Sequence, residues 1–291
     1  MKYRFIGEYR KTYGIERLCR VLRTSRSGYY KWLKIGLSKR ARENQLLSIR
    51  ILEIFNHNRK VYGFRRIKQS LEKEGKIYNH KRILRIMKLK GITAKPTVKF
   101  RVTTTDSKGN NMIFPNLLKG KAAQRPNQII ASDITYVRTT EGWLYLAVVI
   151  DLFTREVIGY AVDDRMPAEL IEKALQNALK NINGKEVELF HSDRGKQFSS
   201  YRVRNILRSN KITQSMSRKA NCYDNATVES FFHTLKTEWL YREKPSDKKT
   251  TKLNIFKYIE AFYNSRRLHS SINYCSPREM KSNFELNRIV A

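Results

Sequence analysis

The chain has 291 residues, and its 59 lysines and arginines outnumber its 26 aspartates and glutamates, which leaves a formal net charge of +33 at pH 7. A charge this large favours an acidic partner, nucleic acid before an anionic membrane surface. The longest apolar run, residues 143–150, is far shorter than the ~20 residues that span a bilayer, and no signal-peptide-like stretch follows the N-terminus, so we expect a cytoplasmic protein.

The positive charge is concentrated in the first part of the chain. Residues 1–125 contain 33 basic and 7 acidic residues, whereas residues 126–291 contain 26 and 19. We therefore expect the first part to form the main DNA-binding surface. The second part has the more balanced composition of a catalytic domain. The three cysteines are far apart and form no Cys-x-x-Cys pair, so we expect neither a disulfide framework nor a zinc knuckle.

Two helical units are predicted before residue 93. Residues 15–34 have the spacing of a small helix-turn-helix. Residues 43–92 predict a first helix, a turn into a second helix that ends near Gly75, and a third helix that ends at Gly91. Asn79 precedes this third helix and is a candidate for its N-cap.

The third of these helices has a basic face. A basic helix after a turn is typical of a helix that enters a DNA groove. The alternative is an ordinary exposed amphipathic helix. Together with the two arginines that open the second helix, this face supplies the DNA contacts that we expect here: Arg65, Arg66, Lys81, Arg82 and Arg85.

From residue 128 the pattern changes to strands. Three strands come first, and the second of them, residues 143–150, is a nearly continuous apolar run that suits a strand buried on both faces. A helix, a strand, a helix, a short strand and a longer helix over about 223–240 follow. This order describes a mixed sheet of five strands with helices packed on it.

Three acidic residues stand at the ends or centres of these elements. Asp133 lies in the first strand, Asp193 comes just after the fourth, and Glu229 lies on the last helix. The first and fourth strands can be neighbours, which would bring Asp133 and Asp193 side by side. On the helix, Glu229 borders the apolar stripe, and Lys236 follows on the same side, well placed to hold a phosphate.

Converging carboxylates in a cationic protein point to a divalent-metal site that acts on a polyanion. Phosphodiester transfer needs an activated oxygen nucleophile and a stabilised leaving oxygen, and two ions about 4 Å apart supply both. Mg²⁺ prefers oxygen ligands and keeps several waters, so a few carboxylates suffice. For any one of these acids the alternative is strong, because a lone aspartate at a strand end more often caps a turn.

Other polar residues close to these acids are candidate DNA contacts. Arg194 follows Asp193 on a predicted loop and would meet the phosphate backbone. Asn221 and Asn225 precede the last helix, where they would either cap it or position DNA or metal-bound water, and the sequence leaves both roles open.

The text around the acids resembles the bacterial insertion-sequence transposases of the family numbered three, in particular its larger, OrfB-type product. The resemblance covers nearly the whole chain. It is carried by residues 132–136, 143–151, 191–195 and 221–232 around the acids, and by 18–30, 62–67 and 263–277 elsewhere.

The resemblance implies an α/β fold: a ribonuclease-H-like mixed five-stranded sheet with flanking helices, as in retroviral integrases, preceded by helical, helix-turn-helix-like DNA-binding units. It implies an Asp-Asp-Glu triad of Asp133, Asp193 and Glu229 that binds Mg²⁺ or Mn²⁺. It also implies 3′-strand cleavage at the ends of the element, followed by strand transfer. Lys236 matches the basic residue that follows the triad glutamate by seven positions and contacts DNA near the cut.

The expected function is therefore that of a DNA transposase. The expected partners are the element's terminal inverted repeats, target DNA, further copies of this chain in a synaptic complex, and an upstream OrfA-type product that is fused or bound to it; no membrane is expected. The alternatives are a catalytically silent DNA-binding regulator derived from such an enzyme, and a simple metal-dependent nuclease of the same fold. The predicted domains are an N-terminal helix-turn-helix-like region (1–40), a helical DNA-binding domain (41–92), a basic linker (93–126), the catalytic core (127–245) and a C-terminal helical extension (246–291).

Overall fold

A computed structural model describes residues 1–35, 38–94, 113–182, 186–217 and 225–290 of the chain. The chain divides into two compact units, Met1–Ala94 and Lys95–Ala291, which are described separately. Across the described ranges, no helix is both long enough and apolar enough to cross a membrane. The expected basic linker at 93–126 lies partly outside the described residues.

The first unit is helical. Ser38 caps its fourth helix by accepting from the Ala41 N–H at 3.2 Å, and Asn79 caps the sixth by accepting from the Lys81 N–H at 2.8 Å, so the cap predicted at Asn79 is confirmed. Gly75 and Gly91 have φ values of 74° and 63° just after the fifth and sixth helices, where a side chain would be strained. The helices are α1 (Lys2–Tyr13), α2 (Ile15–Val21), α3 (Arg26–Ile35), α4 (Lys39–His57), α5 (Phe64–Lys73) and α6 (His80–Leu89).

Helix α1 is absent from the sequence-based prediction. Only Ile6 is buried along it, so the sequence lacks the periodic apolar stripe that would predict a helix of this length. Ile6 packs with Leu18, Cys19 and Tyr29 of the next two helices. The predicted helix-turn-helix of residues 15–34 therefore has a third helix packed against it.

The second unit is built on a five-stranded sheet in the order β3-β2-β1-β4-β5. The first three strands form antiparallel pairs, and β4 and β5 continue the sheet in parallel with β1. This is the mixed five-stranded sheet that the sequence predicts, and the predicted pairing of the first strand with the fourth is confirmed. The strands are β1 (Ile129–Thr139), β2 (Gly142–Asp151), β3 (Val157–Asp163), β4 (Leu189–Ser192) and β5 (Thr213–Met216).

Helices cover the sheet. Helix α7 packs on β2 and β3, and α9 packs on β1 and β2. Strand β2 is therefore covered on both faces, which accounts for its apolar run. A π-helical turn, Lys236–Leu240, extends α9, and a second π-helical segment, Lys257–Asn264, extends α10. The helices are α7 (Ala168–Asn181), α8 (Tyr201–Ser209), α9 (Ala226–Leu235), α10 (Lys248–Phe256) and α11 (Pro277–Val290).

Strand β3 approaches α7 most closely at Gly159. A Cβ added there would lie 2.4 Å from the backbone nitrogen of Ala178 and 2.5 Å from the carbonyl oxygen of Ala174. We expect Gly159→Ala to push the helix off the sheet, at a cost of about 1–3 kcal/mol or more in the free energy of unfolding. Gly63→Ala is the matched control, because nothing lies within 4 Å of its added Cβ and its φ is −78°. Thermal melting distinguishes them, and equal midpoints would contradict the close approach.

Candidate active site

The parallel pairing of β1 with β4 brings two of the predicted acids together. Ser132 pairs with Ser192 in this register. Asp133 follows Ser132 and Asp193 follows Ser192, so the two acids lie at the same level of the sheet. One carboxylate oxygen of Asp133 accepts from the Ile134 N–H at 2.7 Å, and one of Asp193 accepts from the Gly195 N–H at 2.9 Å. Each carboxylate is thus oriented by its own backbone.

The charge environment links Asp133 to the other two acids. Burial, opposed by the Ile134 hydrogen bond and reinforced by the negative charges of Asp193 and Glu229, raises the pKa of Asp133 to about 8. Burial also raises the pKa values of the Asp193 and Glu229 carboxyls. The strands and α9 therefore bring Asp193 and Glu229 within electrostatic range of Asp133.

The three carboxylates do not form a closed ligand cage. In the part of the chain that the structure describes, no group of three His, Cys, Asp or Glu side chains is close enough to hold a single metal ion. Like charges without a cation between them repel, which favours a spaced arrangement. Glu229 is the most exposed of the three, and its neighbour Val228 lies on the buried face of α9. The donor set itself, three carboxylates and no sulfur or imidazole, suits a hard divalent cation such as Mg²⁺.

Lys236 lies beside this group, at the start of the π-helical turn. Its ammonium nitrogen is 4.7 Å from the centre of the Tyr136 ring, a cation–π contact. Burial lowers the pKa of Lys236, and the negative charge of Asp133 opposes that shift. The sequence does not single out Tyr136, although it belongs to the same five-residue motif as Asp133 and supplies the ring on which Lys236 rests.

A buried histidine of β4 is hydrogen-bonded to side chains in β5 and just after it. The His191 ring bonds the Ser215 hydroxyl at 2.9 Å and the Ser217 hydroxyl at 3.1 Å. Arg194 donates from Nε to the Ser217 carbonyl oxygen at 2.8 Å, so this predicted DNA contact is also tied to the end of β5.

Two predicted contacts flank the start of α9. Asn225 occupies the N-cap position without forming a side-chain cap, and its buried Oδ1 has no hydrogen-bond partner among the described residues. The capping role that the sequence leaves open is therefore not formed by Asn225. Asn221 lies outside the described residues.

The predicted DNA contacts of the first unit differ in their surroundings. Lys81 and Arg85 are exposed on α6. Arg82 is held by Asn44 at 2.9 Å and Glu43 at 3.2 Å. The other two arginines rest on aromatic rings, Arg65 on Phe64 and Arg66 on Tyr62.

The raised pKa of Asp133 predicts how the stability of the fold changes with pH. A carboxyl with a folded-state pKa near 8 and an ordinary unfolded pKa stabilises the fold fully at low pH, and that contribution is lost as pH rises toward 8. We therefore expect metal-free Asp133→Asn protein to melt above the wild type at pH 8 and together with it at pH 4. Melting curves in EDTA at both values test this. A wild type that melts above the variant at pH 8 would contradict the buried, unneutralised charge.

Family models match both halves of the chain. An integrase core domain model matches residues 123–222, a second integrase core domain model matches residues 210–277, and an HTH-like domain model matches residues 41–100.

Two similar proteins span nearly the full chain. One is the insertion element IS600 uncharacterized 31 kDa protein of Shigella sonnei, 40% identical over 268 residues that cover 92% of this chain and 98% of that protein. The other is transposase InsF for insertion sequence IS3A of Escherichia coli strain K12, 38% identical over 284 residues, covering 97% and 99%.

Solved structures show a weaker similarity. A simian T-cell lymphotropic virus intasome in complex with PP2A regulatory subunit B56 gamma has a TM-score of 0.48 at 14% identity, covering 74% of this chain and 70% of that one. The HTLV-2 integrase catalytic core domain in complex with magnesium has a TM-score of 0.42 at 17% identity, covering 54% and 98%.

Proposed function

Because this chain belongs to the IS3 family of insertion-sequence transposases and has an integrase core, we propose that it cuts the 3′ strands at the ends of its element and joins them to a second phosphodiester. Asp133, Asp193 and Glu229 are the proposed catalytic acids. The observation that carries the proposal is the register of β1 and β4, which sets half-buried Asp133 level with Asp193, and there burial and the two other acids raise the pKa of Asp133. Such a group is costly without a cation.

Magnesium or manganese fits these residues. Their carboxylate oxygens are the ligands that Mg²⁺ prefers, and divalent cations shared among Asp133, Asp193 and Glu229 would offset the mutual repulsion of the three carboxylates. When bound, such ions activate the attacking oxygen and stabilise the leaving oxygen. The backbone hydrogen bonds from Ile134 and Gly195 would hold two of the carboxylates in position for them.

The surrounding cations would bind and orient the DNA. Lys236 lies next to Asp133 and would hold a phosphate near the cut. Arg194 would meet the backbone from the loop after β4, and the buried Oδ1 of Asn225 at the start of α9 has no hydrogen-bond partner among the described residues. The HTH-like unit, with Lys81 and Arg85 exposed on α6, would supply further phosphate contacts.

A strand-transfer assay tests the proposal. The purified chain is incubated with a labelled duplex of the terminal repeats read from the DNA that flanks the gene, with Mg²⁺, Mn²⁺ or EDTA, alone and with the upstream product. We expect metal-dependent nicking and joined products on a denaturing gel. Nicking without joining would favour the nuclease, and binding without chemistry in every mixture would favour the regulator; either result would contradict the transposase proposal.

The affinity for DNA should fall steeply with salt. Each phosphate neutralised by a cation contributes about −0.9 to the slope of log K against log salt. We expect Lys81→Gln and Arg85→Gln each to make that slope shallower by about 0.9. Lys180→Gln, an exposed lysine of α7, serves as the control and should leave the slope unchanged. Anisotropy titrations at several salt concentrations measure it, and an unchanged slope in both α6 variants would remove this helix from the DNA surface.

A further inference from the structure

A cavity of about 310 Å³ opens beside the proposed active site, where the β1–β2 hairpin meets the end of α9. Its walls contain four aromatic side chains, Tyr136, Trp143, Trp239 and Tyr241. The cavity lies at the small end of the range of ligand sites, which suits a single flat ring system better than a large ligand.

One of these aromatic side chains is buried and hydrogen-bonded within the fold, whereas two others are partly exposed. Trp239 is buried, and its indole N–H donates to a Glu243 carboxylate oxygen at 2.6 Å. Trp143 meets Tyr136 edge to face, with ring centres 5.1 Å apart at 86°. Trp143 nevertheless keeps 48% of its surface exposed and Tyr241 keeps 36%. Exposed rings that border a cavity mark a binding surface rather than a core.

Charged side chains also line this cavity, and the acidic one, Glu243, is engaged by the Trp239 indole. Lys236 lines it, contacts the Tyr136 ring, and interacts with the charge of Asp133. Arg138 and Lys244 also line it. If a phosphate of a DNA strand lies at Asp133, the neighbouring base would therefore lie close to Lys236, Arg138 and Lys244 and to the aromatic rings of the cavity.

We propose that this cavity receives one nucleobase of the element's end, taken out of the helical stack next to the phosphate that is cut. The inference rests on the proposed function, because it places the DNA at Asp133. Aromatic rings stack on bases of any sequence, and enzymes that act on DNA hold extruded bases in pockets of this kind. Removing one base from the stack would also loosen the backbone at the phosphate that Lys236 holds.

The test measures binding in EDTA, so that no strand is cut. The probes are duplexes of the terminal repeat, fully paired or with one mismatch at each position within three pairs of the cut. A mismatch lowers the cost of extrusion, so the wild type should bind the duplex mismatched at one position about tenfold more tightly than the paired one. Trp143→Ala should weaken binding of the paired duplex about tenfold and lose the preference for that mismatch.

Two further variants separate stacking from structure. Trp143→Phe keeps a ring and should retain the mismatch preference. Tyr201→Ala removes an aromatic side chain that is 74% exposed on α8, away from the cavity, and should bind as the wild type does. A wild type with no mismatch preference, or a Trp143→Ala protein that keeps it, would overturn the base pocket.

The same proteins are assayed for strand joining in Mg²⁺, which keeps the two proposals distinct. Joining by the wild type without any mismatch preference would reject the pocket and leave the transposase function standing. A mismatch preference without joining, even with the upstream product supplied, would reject the function but keep the base-binding cavity.

Discussion

Asp133→Asn, Asp193→Asn and Glu229→Gln are each expected to abolish strand cleavage and joining while leaving DNA binding nearly unchanged. Each substitution keeps the size of the side chain and removes one negative charge from the proposed metal site. Removing a single preorganised electrostatic group costs about 10²–10³ in rate, so the loss of a metal ligand should reach roughly a thousandfold or more. Phosphate contacts made by the cationic residues supply the affinity for DNA, and these remain.

The measurement pairs initial rates on the labelled duplex with its dissociation constant. Asp163→Asn is the matched control, because Asp163 lies at the end of β3, where its exposed carboxylate accepts from the Asp164 N–H at 2.7 Å and pairs with Lys173 at 3.6 Å. Undiminished strand transfer in any of the three variants would remove that residue from the site. A second readout is thermal: a ligand that binds only the folded state raises its stability, so Mg²⁺ should raise the melting midpoint of the wild type and not of the variants.

The largest loss of stability is expected where Glu238 meets Arg267. The guanidinium donates to both carboxylate oxygens at 2.8 and 2.7 Å, and both side chains are almost completely buried. Glu238 lies in the π-helical turn that follows α9, so this ion pair anchors the end of the helix that carries Glu229 and Lys236. Removing one partner leaves a buried charge unpaired, and Glu238→Gln or Arg267→Met should cost about 3–5 kcal/mol.

Urea unfolding of the single and double variants measures this cost. The double variant Glu238→Leu with Arg267→Met removes both charges and should recover much of the stability, since replacing a buried pair with apolar side chains is often neutral. Glu169→Gln breaks the exposed pair with Arg202, 3.3 Å apart, and should change the free energy of unfolding by less than about 1 kcal/mol. A single variant at Glu238 or Arg267 that is as mild as Glu169→Gln would show that the pair does not support α9.

The sheet and the placement of the acids could be predicted because their signals are local. The apolar run of β2 indicates a strand covered on both faces, and the acids Asp133 and Asp193 stand at recognisable positions in or after strands that pair. The order of the elements then limits the topology to a mixed sheet. Glu229 follows from the apolar stripe of α9, which is continuous in the sequence.

Features made by distant residues could not be predicted in the same way. Arg267 and Glu238 are 29 positions apart, and no pattern in the sequence indicates that they pair. The cavity joins Tyr136 and Trp143 of one hairpin to Tyr241, which lies 105 and 98 positions away, and nothing in their spacing indicates that they converge. Helix α1 is missing from the prediction for a different reason, because its single buried residue leaves no periodic pattern.

The π-helical turn Lys236–Leu240 has a consequence for insertions and deletions. A π turn contains one residue more than the α-helical turn it replaces, so the positions after it are rotated by about 100° relative to an uninterrupted α-helix. Glu238 lies inside this turn, so its direction relative to Glu229 depends on the number of residues between them. Loss of Lys236 or Thr237 would leave Glu229 in place and rotate Glu238 by about 100° away from Arg267, so a chain shortened there would need a new anchor for the end of the helix.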